Sequence, residues 1–298
     1  MKSITAGPGT THAMKFETLI DCETLAVRLD DPAWRVFDCR FDLADTQRGE
    51  RAHATAHVPG AFYAHIDRDL SDPITPQSGR HPLPDPVRLR DWLGRHGVGS
   101  ATQVVVYDDS GGTMAVRLWW LLRWLGHTRV AVLDGGWPAW IRAAMPIEDA
   151  PPRPVTATNF SGQPDWGQVV TTATLATQVA TGGDALLVMD ARTRERFRGD
   201  AEPIDPVAGH IPDAINLPLV GNLDDSGRFK GPVALHSMYA PALAGRSPVD
   251  VAVMCGSGVT ACHNLMAMEI AGLHGGRLYA GSWSEWIRDP ARPVATGD

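Results

Sequence analysis

At 298 residues the chain is long enough for one large domain or two medium ones, each with its own core. Hydrophobic residues make up 44% and charged residues 20%, the balance of an ordinary globular protein. The formal net charge of -7 argues against a general nucleic-acid binder, which is usually basic, but leaves room for a small anionic substrate in a locally positive pocket.

The segment Met1 to Lys15 lacks the apolar run of a secretion signal, and Met14 offers an alternative start. No stretch approaches the roughly 18 consecutive apolar residues that span a bilayer. The sequence therefore predicts a cytoplasmic protein with no membrane partner. Its four cysteines are Cys22, Cys39, Cys255 and Cys262. None forms a Cys-x-x-Cys pair, so zinc-ribbon and thioredoxin spacings are excluded, and no ligand cluster calls for a metal or organic cofactor.

Along the chain, Val36-Phe37-Asp38-Cys39-Arg40 returns as Val188-Met189-Asp190-Ala191-Arg192, and His57-Val58-Pro59-Gly60-Ala61 as His210-Ile211-Pro212-Asp213-Ala214. Val104-Val105-Val106-Tyr107 returns as Val251-Ala252-Val253-Met254, and Gly135-Gly136-Trp137-Pro138-Ala139-Trp140 as Gly281-Ser282-Trp283-Ser284-Glu285-Trp286. Matches in one order at an offset of about 150 residues mark a duplicated domain. The proline-rich run Ala150-Pro151-Pro152-Arg153-Pro154 reads as the seam, giving halves over 16–149 and 163–298 joined by a linker over 150–162.

Gln103–Tyr107 is predicted as a buried strand, 115–125 as an apolar helix stopped by Gly126, and Val130–Leu133 as the next strand. In the second half a strand is expected over 249–254, a helix over 260–271 stopped by Gly272, and a strand at Arg277–Tyr279. Strand, helix, strand with short joins implies right-handed crossovers, hence an α/β fold of parallel sheets with helices on both faces.

The segment Cys255-Gly256-Ser257-Gly258-Val259-Thr260-Ala261 stands where a buried parallel strand ends and a helix begins, the usual ligand crevice of open α/β folds. Gly256 and Gly258 permit a tight loop whose amides turn inward, and the helix start adds to their field. Such a setting favours a thiolate at Cys255 and holds an anion beside it, with Ser257 and Thr260 as further hydroxyl donors. The other cysteines lack this setting and read as core residues; Cys262 is placed about two turns into the helix, packing inward.

The loop, followed by Gly281-Ser282-Trp283-Ser284-Glu285-Trp286, resembles the second-domain signature of 3-mercaptopyruvate sulfurtransferases, within the two-domain rhodanese superfamily. The resemblance runs from Leu19 to Trp286. It implies tandem rhodanese-like domains, the second catalytic through Cys255 and the first silent. Asp108 occupies the position matching Cys255, in a loop with Asp109 that makes a poor cradle for an anion. The resemblance further implies a proton relay of Asp67, Ser257 and Cys255. It assigns Arg196 to the donor's anionic group, and Gly256, Gly258, Val259 and Thr260 to the substrate loop. Arg192 and Arg198 read as structural ion-pair residues, and His81 as a loop histidine near the domain interface.

The implied reaction is ping-pong, from a small anionic sulfur donor through a Cys255 persulfide to a thiol, cyanide or a protein cysteine, without a cofactor. Two features pull the donor in opposite directions. A second arginine of the pattern is missing, since Glu202-Pro203-Ile204-Asp205 carries isoleucine there, while the catalytic loop lacks the basic residues of thiosulfate-preferring rhodaneses. Mercaptopyruvate and thiosulfate both remain open. A phosphatase would need Cys-x5-Arg, but position 261 is alanine. A slow sulfur-relay module, or a Cys255–Cys262 redox switch, completes the set of rivals.

Overall fold

The computed structural model describes residues 15–298; the alternative start at Met14 lies outside the described residues. The first half runs β1 (Leu19–Ile20), α1 (Cys22–Ala26), β2 (Trp34–Asp38), α2 (Arg48–Thr55), β3 (Phe62–Tyr63), α3 (Pro86–Arg95), β4 (Gln103–Tyr107), α4 (Ala115–Trp124), β5 (Val130–Leu133) and α5 (Gly136–Arg142). The second repeats the alternation with β6 (Val169–Val170), α6 (Thr172–Thr181), β7 (Leu187–Asp190), α7 (Arg194–Arg198), β8 (Ile215–Asn216), α8 (Pro232–Ala242), β9 (Val251–Met254), α9 (Ala261–Ile270), β10 (Arg277–Tyr279) and α10 (Ser282–Trp286).

Each half builds a five-stranded parallel sheet, in the orders β1-β5-β4-β2-β3 and β6-β10-β9-β7-β8. The two orders are the same once the repeat is superposed, so the duplication extends to topology. β4 and β9 lie at the centres, buried along their whole length. Their near-continuous apolar sequences suit strands covered on both faces.

Side chains alternate across each sheet. In the first half Val105 and Tyr107 face α1 and α5, while Val104 and Val106 face α3 and α4. In the second, Ala252 and Met254 face α6 and α10, while Val251 and Val253 face α8 and α9. The α4 and α9 sides merge into one apolar core shared by both halves, with α4 packed directly on α9. Arg123 and Glu269 close that contact with a 3.0 Å ion pair.

The helix after Cys255 begins at Ala261 and ends at Ile270, and the strand before it starts at Val251 because Pro248–Asp250 forms a 3-10 turn. Cys262 is therefore in the first turn of α9, not two turns in, though it does point inward. The stretch 150–162 carries no helix or strand, yet it is not free. Thr158 hydrogen-bonds Gly94 and Val98, and Phe160 is buried against the first half.

Candidate active site

β4 and β9 end at Tyr107 and Met254, so Asp108 and Cys255 are the first residues after them, and the two loops that follow differ between the halves. In the second, the Gly258 N–H donates to Cys255 Sγ at 3.1 Å. Gly258 has φ 78°, and a Cβ there would stand 2.3 Å from the Ala280 carbonyl, so only glycine allows this turn. The loop is held from α10: Cys255 N–H donates to Ser282 Oγ, Trp283 N–H to the Cys255 carbonyl and Ser284 N–H to the Gly256 carbonyl.

In the first half the amide cradle is present and already full. The Asp108 carboxylate accepts from the N–H groups of Ser110, Gly112, Met114 and Ala115 at 2.7–2.9 Å. The loop is a poor cradle for a further anion, but by occupancy and not by repulsion: the amides converge, and Asp108 itself fills them. Burial pushes the Asp108 carboxyl above its ordinary range, with those four donors pulling the other way. Asp109 turns outward to Arg48.

A cavity of about 250 Å³ opens over Cys255 between the halves. Cys255, Gly256, Ser257, Val259, Thr260 and Arg196 all line it. Gly258 contributes its amide to the sulfur instead. Cys255 itself is 1% exposed, at the floor.

Asp67 does not reach Ser257 directly; the two are joined by His81. Ser257 Oγ lies 2.7 Å from His81 Nδ1, and His81 Nε2 lies 3.0 Å from Asp67 Oδ1. A carboxylate only accepts, so the Asp67 contact assigns the imidazole proton to Nε2 and leaves Nδ1 to accept from the Ser257 hydroxyl. The reading of His81 as a bystander is corrected. It gave no periodic signal, sitting in the loop Gly79-Arg80-His81-Pro82. Burial depresses the His81 pKa, with Asp67 opposing; the His81 hydrogen bond in turn holds the Asp67 carboxyl below its ordinary value.

Arg196 is placed by α7 and braced by carboxylates. Its Nε donates to Glu202 at 3.0 Å and its Nη2 to Asp205 at 3.0 Å. Burial works to raise the Glu202 pKa, yet hydrogen bonds from Arg196 and nearby amides hold it low; for Asp205 burial prevails and its pKa is raised. Arg192 is the structural residue expected, forked onto Asp190 and lying over the Trp283 ring. Arg198 pairs with Asp200 and Asp298 at the surface.

Arg117 was not singled out by sequence, although a guanidinium within the apolar run of α4 was a signal. It is fully buried, and donates to the carbonyls of Leu70, His81, Pro82 and Gly258. One side chain thereby ties the loop bearing His81 to the loop bearing Cys255. Burial lowers its pKa, partly offset by the nearby thiols of Cys262 and Cys255. Cys262 is pushed up to about 12 by burial and contacts the Gly258 carbonyl.

The Rhodanese-like domain family matches residues 21–143 and again 171–289. The chain is 48% identical to the "Probable 3-mercaptopyruvate sulfurtransferase" of Pseudomonas aeruginosa, over 96% of this chain and 100% of that one. It is 30% identical to the thiosulfate sulfurtransferase of Rattus norvegicus, covering 93% and 94% of the two chains. Among solved structures, the 3-mercaptopyruvate sulfurtransferase of Leishmania major superposes with a TM-score of 0.78 at 30% identity, covering 92% of this chain and 76% of that one. With both halves matched by the family and full-length sulfurtransferases among its relatives, the chain belongs to the rhodanese-like family, in its tandem sulfurtransferase branch.

Proposed function

We propose that Cys255 carries a sulfur atom from 3-mercaptopyruvate, as a persulfide, to a thiol, cyanide or a protein cysteine. The observation that carries the choice of donor is the contact of Ser257 with His81, backed by Asp67.

The Cys255 thiolate attacks the donor sulfur, and the carbon–sulfur bond breaks with its electron pair moving to carbon. The product is the enolate of pyruvate, which must gain a proton, while the transferred S–H must lose one. The Ser257 hydroxyl, with His81 and Asp67 behind it, offers a route for that proton. Thiosulfate needs no such route, because sulfite departs with its electron pair and stays an anion. Arg196 anchors the donor's anionic end, and the loop Gly256, Ser257, Gly258, Val259 and Thr260 encloses the sulfur, with the Gly258 amide stabilising the charge on it. All four cysteines are free thiols, the state a reducing cytoplasm maintains, and we place the protein there.

The test compares the two donors, with cyanide as acceptor, in wild type and His81→Asn. Wild type is expected to favour mercaptopyruvate in kcat/KM. The variant is expected to lose about a hundredfold with mercaptopyruvate and far less with thiosulfate. Equal losses with both donors would remove the proton-route argument.

A further inference from the structure

We propose that Arg80, supplied by the first domain, is a second donor-binding cation that closes on the donor's anionic group from the side opposite Arg196. The assignment rests on the donor reading above and extends it to a residue outside the catalytic half.

The loop carrying Arg80 lies flat on the second domain. A Cβ on Gly79 would stand 2.6 Å from the Gly281 carbonyl and 2.9 Å from Ser284 Oγ, so the approach requires glycine. The Arg80 N–H donates to Ser284 Oγ at 3.0 Å, and the next residue, His81, is fixed by Ser257. With its backbone pinned on both sides, the Arg80 side chain enters the cavity that Cys255 and Arg196 also line.

The two guanidiniums converge on one point. A Cβ built on Gly256, the residue after the nucleophile, would meet Arg80 Nη2 at 2.8 Å and Arg196 Nη2 at 3.4 Å. They also share one carboxylate, for Asp205 accepts from Arg80 through Oδ1 and from Arg196 through Oδ2. That single bridge does not satisfy Arg80, whose Nε is buried without an acceptor. A buried donor without an acceptor is costly, so the guanidinium is incompletely satisfied where it stands. Its Nη2, the atom over Gly256, makes no hydrogen bond among the described residues and is placed to grip a carboxylate or sulfonate-like head beside Cys255 together with Arg196. Glycine at position 256 is what leaves room for both.

Steady-state kinetics with 3-mercaptopyruvate and cyanide test the assignment in Arg80→Met, Arg80→Lys and the double variant Arg80→Met with Asp205→Asn. Arg80→Met is expected to raise the donor KM by about tenfold or more while changing kcat much less, and Arg80→Lys to recover part of the loss. The double variant is compared with Asp205→Asn alone, since Asp205 also braces Arg196, and it removes the carboxylate that Arg80→Met leaves short of a partner. A donor KM higher in the double variant than in Asp205→Asn alone supports direct binding. A KM no higher there than in Asp205→Asn alone, or one within about twofold of wild type in Arg80→Met, overturns the proposal. Mass measurement of Cys255 after donor exposure separates the two levels. A wild-type thiol that gains no sulfur sinks the donor reading itself, whereas one that gains sulfur with an unaltered KM in Arg80→Met sinks only Arg80.

Discussion

Ser257 Oγ and His81 Nδ1 stand 2.7 Å apart although 176 positions separate them in the chain, and they belong to different domains. The hydroxyl two residues after Cys255 is thus oriented by a histidine of the other half.

This contact sets an expected pH dependence. Burial holds His81 below the ordinary histidine value of 6.5, with Asp67 pulling it back up. The relay needs neutral His81, so the acid limb of kcat/KM for mercaptopyruvate is expected below pH 6.5. Asp67→Asn removes the upward pull and should move the limb lower still, while reducing the rate. The same sign governs folding: a depressed histidine pKa contributes stability above 6.5 that is lost as pH falls through the folded value. An acid limb that rises in Asp67→Asn would contradict this arrangement.

Arg196→Ala is expected to cost about 2 to 3 kcal/mol of transition-state stabilisation, the scale for truncating a charged hydrogen-bond partner. Its effect should fall on the first half-reaction, donor to Cys255. Discharge of a preformed persulfide to cyanide should be nearly unaffected. Single-turnover measurements of each half-reaction check the division.

Gly258→Ala should be damaging out of proportion to its size. The added carbon meets the Ala280 carbonyl at 2.3 Å and the backbone is left-handed at φ 78°, so the loop must move and carry the amide off the sulfur. A stability loss of about 2 kcal/mol is expected. Alkylation of Cys255 by iodoacetamide should slow with it. A variant with wild-type alkylation would show that this amide does little for the thiolate.

Asp108→Ala should destabilise the chain by about 3 kcal/mol, because four backbone donors lose a buried acceptor together. Chemical denaturation reads the change. No direct effect on Cys255 chemistry is expected, since Asp108 does not line the cavity over the thiol.

What the sequence made legible was what repeats or lies close along the chain. Short motifs recurring in one order exposed the duplication, and the buried runs of β4 and β9 located the central strands. The Cys255 loop was visible for the same reason, since strand end, glycines and helix start are contiguous. What stayed hidden depends on how the halves dock. His81, Arg80 and Arg117 come to the cavity or its walls only when the 79–82 loop meets α10 and the Cys255 loop, and no local pattern encodes that meeting. The filled cradle at Asp108 was missed for another reason. Two carboxylates in a loop suggested repulsion of an anion, whereas the backbone folds around one of them.

The buried Arg117 carries a last consequence. Its guanidinium bonds carbonyls on both sides of the domain boundary, so pulling the halves apart takes the Gly258 carbonyl from a buried cation and leaves it those of Leu70, His81 and Pro82. A truncated chain beginning at the second sheet would keep Cys255 yet forfeit Asp67, Arg80, His81 and Arg117 at once. The first half is accordingly one wall of the chamber over Cys255, and a chain cut back to the second half is expected to hold the cysteine in an open cleft and turn donor over poorly.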